Sequence, residues 1–426
     1  MKFFINSQNK NFVVNVFSLT LIQVANFIIP IVIVPYAIRT LGVEGFGSAT
    51  YAQNIVAYLT ILVNFGFEYS ATQNVSINKN DQRKLISIFY SVMFFKFCLL
   101  LLSFIILLVC CTYIDKFSNN ISLYICAALI NVGWFLFPTW FFQGMESMSK
   151  MAFFNLFSRV LSAIMVFVLV ADSQDSTLYV LFLSMGMILA GVCAFLYVVK
   201  RYKLYYSSNE FEFDVDTIKK GFPIFLNSVF VFLYTNAGIT MMGFCVSEYD
   251  LGIYQGTHKI VMAIMMLTSM PINVALFPRI SKKFDESFRD GWAFFKKSFV
   301  GVLLFSLFVS LLTFLFSDFF VDVFFKKGCE DAYTLMKMFS ILPFFVTLAS
   351  LLTVQGLYGM QVQYMAPFVG GFLGIFSIGL NYVMLYRMGI FGAAVSWIIC
   401  QFFEIVLVGM LIFVKNGIMD ILTCSA

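Results

Sequence analysis

The stretch "FCLLLLSFIILLVCC" (residues 97–111) carries no charge over its whole length. With its apolar flanks it exceeds the roughly 20 residues that cross the hydrocarbon core of a bilayer as an α-helix. A second run, "VGVLLFSLFVSLLTFLF" (300–316), has the same character. Strands of an outer-membrane barrel would be about 10 residues long and would alternate apolar with polar side chains. The two runs therefore predict membrane-spanning helices.

The composition extends this prediction to the whole chain. Of its 426 residues, 61% are hydrophobic and 12% are charged, whereas soluble proteins carry roughly twice that charge. The nine cysteines form no C-x-x-C pair and no Cys/His cluster, so neither a zinc site nor a disulfide framework is indicated. No phosphate-loop sequence is present, which excludes ATP hydrolysis by that route. We expect no cofactor, no metal and no nucleic-acid partner.

Apolar windows, and the charged or turn-forming breaks between them, predict an all-α integral membrane protein with twelve transmembrane helices. The predicted helices are 12–34, 49–66, 85–112, 121–142, 152–171, 177–199, 222–244, 256–277, 296–317, 333–357, 363–386 and 390–413. Most Lys and Arg residues then fall on one side, and positively charged loops stay cytoplasmic. This predicts a multi-pass protein of the bacterial inner membrane with cytoplasmic N- and C-termini.

A short signature occurs twice in the chain. In "WFFQGMESM" (140–148) and "TVQGLYGM" (353–360), the pattern Gln-Gly-x-x-x-Met returns 212 residues later. The repeat predicts a six-helix lobe over 1–200, a cytoplasmic linker over 201–221 and a second six-helix lobe over 222–426. Because six is even, both lobes would have the same orientation, related by a pseudo-twofold axis along the membrane normal. Transporters built from parallel repeats bind substrate between the halves and work by alternating access.

Charged residues inside membrane spans are costly and so mark candidate functional sites. Asn155, Arg159 and Ser162 are spaced i, i+4 and i+7, which places them on one helix face. Arg159 could be a cation lining a cavity, could pair structurally with a carboxylate, or could extend to the membrane surface. Lys96 lies well inside a long apolar helix and is also a candidate for the substrate cavity, although its apolar neighbours leave that role open.

Other polar residues complete the set of candidates. Glu404, near the middle of its helix, could carry protons or could belong to a buried ion pair. Glu68 is a second candidate for ion coupling, although it lies at a predicted helix end, where solvation is easy. Further candidates for a substrate cavity are Arg39, Arg279, Gln23, Asn26, Asn227 and Tyr234.

Six motifs carry a resemblance to a known family. They are "RTLGVEGFGSATYAQ" (39–53), "NFGFEYSATQ" (64–73), "PTWFFQGMESM" (138–148), "EYDLGIYQGTHKI" (248–260), "ALFPRISKK" (275–283) and "GIFGAAVSW" (389–397). In order and spacing they resemble the Wzx-type polysaccharide flippases. These form part of the polysaccharide-transport branch of the multidrug/oligosaccharidyl-lipid/polysaccharide exporter (MOP) superfamily, and the resemblance spans essentially the whole chain.

The resemblance implies a flippase that moves an undecaprenyl-pyrophosphate-linked oligosaccharide from the cytoplasmic to the periplasmic leaflet for a surface polysaccharide such as O-antigen. It also implies contact with membrane lipid, a polysaccharide polymerase as a partner, and coupling to an H⁺ or Na⁺ gradient. Two other functions stay open. One is a cation-coupled multidrug exporter of the same fold, and the other is a membrane polymerase or glycosyltransferase acting on lipid-linked sugars.

Overall fold

The computed structural model describes the backbone of residues 7–205, 212–325, 329–360, 362 and 365–424. Within these ranges, the side chains of residues 7–28, 30, 234, 274, 366 and 415–424 are not described. Every regular element in the described ranges is a helix, which confirms the prediction of an all-α protein.

The first ten helices are α1 (Ser7–Asn64), α2 (Phe67–Ile77), α3 (Gln82–Tyr113), α4 (Asp115–Ser118), α5 (Ile121–Ala128), α6 (Ile130–Leu136), α7 (Thr139–Gly144), α8 (Met148–Leu169), α9 (Ser176–Arg201) and α10 (Val215–Cys245). The remaining helices are α11 (Glu248–Glu286), α12 (Phe288–Leu315), α13 (Ser317–Phe324), α14 (Glu330–Phe339), α15 (Leu342–Ser350) and α16 (Ala366–Cys424). A π-helical stretch, Leu351–Tyr358, follows α15.

Nine helical stretches in the described part of the chain are long and apolar enough to cross a membrane. A tenth is added if α10, which bends by 53° between Val215–Leu233 and Thr235–Cys245, is one span. The protein is therefore a multi-span membrane protein. The two longest stretches belong to α1 and α16, and each of these is two helices that meet at a glycine with non-helical backbone angles.

Two predicted loops are corrected by these glycines. The sequence predicts a loop around "RTLGVEGFG" and another around residue 388, but the chain stays helical on both sides of Gly42 (φ 76°) and Gly389 (φ 55°). A positive φ is accessible to glycine at little cost, so one residue changes the direction of the helix and no loop is needed.

Four of the six cations that the predicted topology assigns to outside loops lie within helices. They are Arg39 in α1, Lys116 in α4, Lys259 in α11 and Arg387 in α16. The predicted helix 256–277 begins earlier, at Glu248, because Ser247 caps it by accepting a hydrogen bond from the Asp250 N–H at 3.1 Å. The predicted sidedness of the chain stays a prediction.

Two predicted spans are interrupted by breaks. The predicted helix 121–142 consists of α5, α6 and α7, and the predicted helix 333–357 consists of α14, α15 and the π-helical stretch. A proline lies beside one break in each: Pro138 precedes α7, and Pro343 begins α15. Proline lacks a backbone N–H and disfavours helical geometry in the residue before it.

The described parts of the predicted linker lie against α2 and α3. Tyr90 Oη donates to the Leu204 carbonyl at 2.9 Å, and the Asp214 N–H donates to Ser91 Oγ at 2.8 Å. Asn74 Nδ2 donates to Thr217 Oγ1 at 2.5 Å. From Val215 onward the chain is already helical. The described residues of the segment are thus attached to the first half of the chain by hydrogen bonds, and its role as a cytoplasmic linker stays a prediction.

The turn between α8 and α9 is held by one carboxylate. Asp175 Oδ2 accepts the backbone N–H groups of Ala171 and Asp172, each at 2.9 Å. These hydrogen bonds stabilise the charged form and hold the pKa of Asp175 below its usual value.

The chain divides into two compact units, Met1–Val229 and Phe230–Ala426. The first unit has a core of large aromatic side chains around Phe89, Trp140 and Phe141, each at most 1% exposed. In the second unit Phe295, Leu351 and Ile412 belong to the corresponding apolar cluster. The predicted lobe boundaries at 200 and 221 stay a prediction.

Candidate functional site

Polar side chains line the inside of the first unit, where apolar packing is expected. We call this set the polar ladder. One side consists of Thr60, Asn64, Glu68 and Thr72, four residues apart on α1 and α2. The other side consists of Asn131, the Trp134 carbonyl, Thr139 and Gln143, on α6 and α7.

The ends of the ladder are joined by neutral contacts. Thr60 Oγ1 donates to Asn131 Oδ1 at 2.6 Å, and Asn131 is fully buried. Asn131 Nδ2 has no hydrogen-bond partner among the described residues. At the other end, the Thr72 hydroxyl lies 3.3 Å from Gln143 Oε1.

The middle of the ladder coincides with two helix breaks. Between α1 and α2, Phe65 (φ 48°) and Gly66 (φ 76°) both leave the helical region. Between α6 and α7, Phe137 is extended (φ −87°, ψ 104°) and is followed by Pro138. Such breaks free backbone groups, and inside a membrane side chains must satisfy them.

The Lys96 side chain contacts a residue close to each of the two breaks. It comes from α3, is 2% exposed, and its Nζ donates to the Trp134 carbonyl at 2.8 Å and to Asn64 Oδ1 at 3.3 Å. The side chain therefore does not extend to the membrane surface, and its ammonium group is enclosed by the first unit.

The Glu68 carboxylate lies within electrostatic range of this ammonium group. It lies in the first turn of α2, where a negative charge is favourable to the helix dipole. Its Oε1 accepts a hydrogen bond from Thr139 Oγ1 at 3.4 Å. Glu68 and Lys96 are thus brought together by the fold, although the sequence places Glu68 only at a solvated helix end.

Arg159 and Asn155 lie on α8, and both are partly buried. Arg159 Nε is buried and has no hydrogen-bond partner among the described residues. Within the same ranges Arg159 forms no ion pair with a carboxylate, and its predicted roles stay predictions. Ser162, on the predicted shared face, packs against α9, where its hydroxyl donates to the Leu183 carbonyl at 3.4 Å.

The remaining candidates lie on several different helices. Arg39, Arg279 and Asn227 are exposed side chains on three different helices. The side chains of Gln23, Asn26 and Tyr234 lie outside the described residues. Glu404 is partly buried on α16, close enough to affect the Cys400 thiol electrostatically.

The second unit contains a small polar pocket that the sequence analysis missed. It is lined by Thr235, Gly238, Ile239, Tyr254, Asn381, Ala393, Trp397 and Cys400. Asn381 is 4% exposed, and its Oδ1 has no hydrogen-bond partner among the described residues. The rings of His258 and Trp397 are in tilted contact, with centroids 4.8 Å apart.

A signal for the polar ladder was present in the sequence. Thr60, Asn64, Glu68 and Thr72 interrupt an apolar region at a constant spacing of four residues, which places them on one helix face. Pro138 also indicates that the carbonyl four residues earlier, on Trp134, lacks its helical donor. Neither pattern identifies Lys96 as the donor, because α3 and α6, which form that contact, are far apart in the sequence.

Comparison with known proteins decides the family. Residues 12–284, more than half of the chain, match the family described as "Polysaccharide biosynthesis protein". The chain belongs to this family. The expected resemblance to the polysaccharide-transport branch is therefore confirmed at the level of the family.

Two proteins of known description are also similar to this chain. A protein of Escherichia coli (strain K12) described as "Putative O-antigen transporter" is 25% identical over 409 residues, covering 95% of this chain and 96% of that protein. A protein of Shigella dysenteriae with the same description is 28% identical over 273 residues, covering 63% of this chain and 67% of that protein.

Solved structures show the same fold. A multidrug resistance MATE family transporter of the MOP superfamily, in an inward-facing conformation, matches with a TM-score of 0.71 at 12% identity, covering 95% of this chain and 99% of that one. A MATE structure in the straight conformation gives a TM-score of 0.59 at 11% identity, covering 93% and 94%. At these identities the similarity shows only that this protein shares their fold.

Proposed function

We propose that the protein is a flippase that moves an undecaprenyl-pyrophosphate-linked oligosaccharide, a repeat unit of O-antigen or a related polymer, from the cytoplasmic to the periplasmic leaflet. The observation that carries the proposal is the similarity to the Escherichia coli relative over nearly the full length of both chains. The shared fold with transporters of the MOP superfamily supports transport over an enzymatic reaction.

The proposed architecture has twelve spans in two six-helix lobes that alternate access to the two sides of the inner membrane. Counting α1 and α16 as two spans each, divided at Gly42 and Gly389, supports this number. An even number of spans would put both termini on the same side of the membrane, and the positions of Lys and Arg favour the cytoplasmic side.

The proposed ligand for the pyrophosphate is Arg159. Arg159 is partly buried, its buried Nε has no hydrogen-bond partner among the described residues, and none of the ion pairs of those residues includes it. Arginine is suited to phosphate because its planar donors bind two oxygens at once. Asn155, one turn away on the same helix, would contact the sugars, while Arg39 and Arg279 would contribute charge from the ends of their helices.

The source of energy is proposed to be an H⁺ or Na⁺ gradient, with Glu404 and Glu68 as candidate coupling residues. The observation that supports Glu68 is its contact with a second polar residue, Thr139, inside the first unit. A polysaccharide polymerase is the proposed partner that consumes the translocated units.

The test is to delete the gene in its host and to follow lipid-linked repeat units across the inner membrane. We expect the units to accumulate on the cytoplasmic leaflet and to be exported again when the wild-type gene is restored. Arg159→Ala should fail to restore export, and Arg159→Lys should restore part of it. Arg289→Ala, at an exposed arginine of α12, is the matched control and should restore export fully.

The result that contradicts the proposal is unchanged export in the deletion strain, with no second flippase present. Equal, normal export by both Arg159 variants would remove that residue from the site. If the deletion instead sensitises the host to cationic drugs and leaves the polysaccharide unchanged, the function is that of a multidrug exporter, the activity named for the MATE structure of the same fold.

A further inference from the structure

We propose that Lys96 is a positioning residue: its ammonium group ties the α1–α2 break to the α6–α7 break, and transport requires this tie. The inference deepens the proposed function and rests on it for its transport readout. It changes the interpretation of Lys96, which the sequence suggests as a cation that contacts the substrate.

The first step concerns a missing backbone donor. In a continuous helix the Trp134 carbonyl would accept the N–H of residue 138, but residue 138 is proline and has none. The preceding carbonyl, on Gly133, still accepts the Phe137 N–H at 2.9 Å. The Trp134 carbonyl is therefore the group that Pro138 leaves unpaired, and Lys96 Nζ donates to it at 2.8 Å.

The second step concerns the other break. The same Nζ donates to Asn64 Oδ1 at 3.3 Å, and Asn64 is the last residue of α1. On the far side of that break, Glu68 accepts from Thr139, which begins α7. Two polar links therefore join the same pair of breaks, and Lys96 provides one of them from a third helix.

The third step concerns accessibility. Lys96 lies fourteen residues after the start of α3 at Gln82, about 21 Å along the helix axis. Its side chain is 2% exposed. An ammonium group enclosed in this way, with two acceptors already bound, has little capacity left for a bulky pyrophosphate.

The fourth step is the consequence for transport. α2 and α7 follow the two breaks directly, so their orientation depends on whether the breaks are held together. If the tie is lost, the buried Trp134 carbonyl is left without this donor, and of the two polar links between the breaks only the contact of Glu68 with Thr139 remains. Alternating access would then fail although the substrate still binds.

A double-mutant cycle in thermal unfolding tests the tie without any substrate. It compares the full chain in detergent as wild type, Lys96→Met, Pro138→Ala and the double variant. We expect Lys96→Met to lower the unfolding midpoint by about 4 °C or more. In the Pro138→Ala background the loss should be smaller, because an alanine at that position supplies a backbone N–H. Lys84→Met, at an exposed lysine in the first turn of α3, is the matched control.

Transport separates positioning from a purely static role and from substrate contact. Surface polymer per amount of folded protein should fall by at least about tenfold in Lys96→Met. Lys96→Gln, which keeps a donor but no charge, should retain more export than Lys96→Met. The dissociation constant for undecaprenyl pyrophosphate, measured on the purified variants, should stay at the wild-type value.

Three results would overturn the inference. These are equal loss of stability in both proline backgrounds, normal export per folded protein in Lys96→Met, or weaker binding of undecaprenyl pyrophosphate in both Lys96 variants. If Lys96→Met does not fold, Lys96→Gln carries the same comparison. If wild-type protein does not bind undecaprenyl pyrophosphate, the proposed function fails, and the unfolding cycle still decides the tie.

Discussion

The fourth predicted span of each half is broken beside a proline, and the two breaks are supported differently. In the first unit, Lys96 of α3 donates to the Trp134 carbonyl at 2.8 Å. In the second unit, Ser310 of α12 accepts the Phe344 N–H at 2.9 Å. Ser310 follows Lys96 by 214 residues, close to the 212 that separate the two Gln-Gly signatures.

The difference shows how much each break depends on one side chain. The Phe344 N–H also lies 3.1 Å from the Ile341 carbonyl, so it keeps a backbone partner without Ser310. No backbone N–H is available at position 138 for the Trp134 carbonyl. Each break therefore has a polar side chain beside it, a buried ammonium group in the first unit and a hydroxyl group in the second.

The two Gln-Gly signatures offer the sharpest contrast in packing, and we expect the largest effect there. A Cβ on Gly144 would lie 2.6 Å from Val75 Cβ and 3.0 Å from the Thr72 carbonyl oxygen, and neither atom can move easily. A Cβ on Gly356 would meet the end of a flexible side chain, Ile412 Cδ1. Gly144→Ala should therefore destabilise the protein by about 2–3 kcal/mol, and Gly356→Ala by less than about 1 kcal/mol.

Thermal unfolding of the two purified variants measures this difference directly. Equal losses would mean that the two signatures are packed alike, and that the approach of α7 to α2 is looser than the distances around Gly144 indicate.

The support at the second break gives an intermediate effect. Ser310→Ala removes one of two acceptors of the Phe344 N–H, so we expect a loss of about 1 kcal/mol. Ser306→Ala, one turn earlier on α12, is the matched control, because its buried hydroxyl only donates to the Leu303 carbonyl of its own helix. That variant should unfold close to the wild-type temperature. A loss of stability in Ser310→Ala well above about 1 kcal/mol would show that the second break depends on one side chain as strongly as the first.

These contrasts also show what could be predicted from the sequence. The all-helical membrane fold follows from long apolar runs such as 97–111, because only helices of that length satisfy their backbone in lipid. The sequence does not predict that α1 continues past residue 42, because one glycine at positive φ takes the place of a loop. The contact of Lys96 with Trp134 was also missed, since it is set by packing between α3 and α6 and has no local signature.

The smallest effect is expected where the signatures differ in charge, at Glu146 and its counterpart Tyr358. Glu146 has a positive φ of 55° and its carboxylate accepts from Lys79 Nζ at 2.5 Å, but its side chain is 71% exposed. Exposed ion pairs contribute little, because water and salt screen them. Glu146→Gln should therefore cost less than about 1 kcal/mol, and high salt should abolish the difference from wild type.

Glu286→Gln, in the exposed pair with Lys283, is the control in the second unit and should behave alike. A loss in Glu146→Gln that matches Gly144→Ala and persists in high salt would show that the pair holds the end of α7 in place.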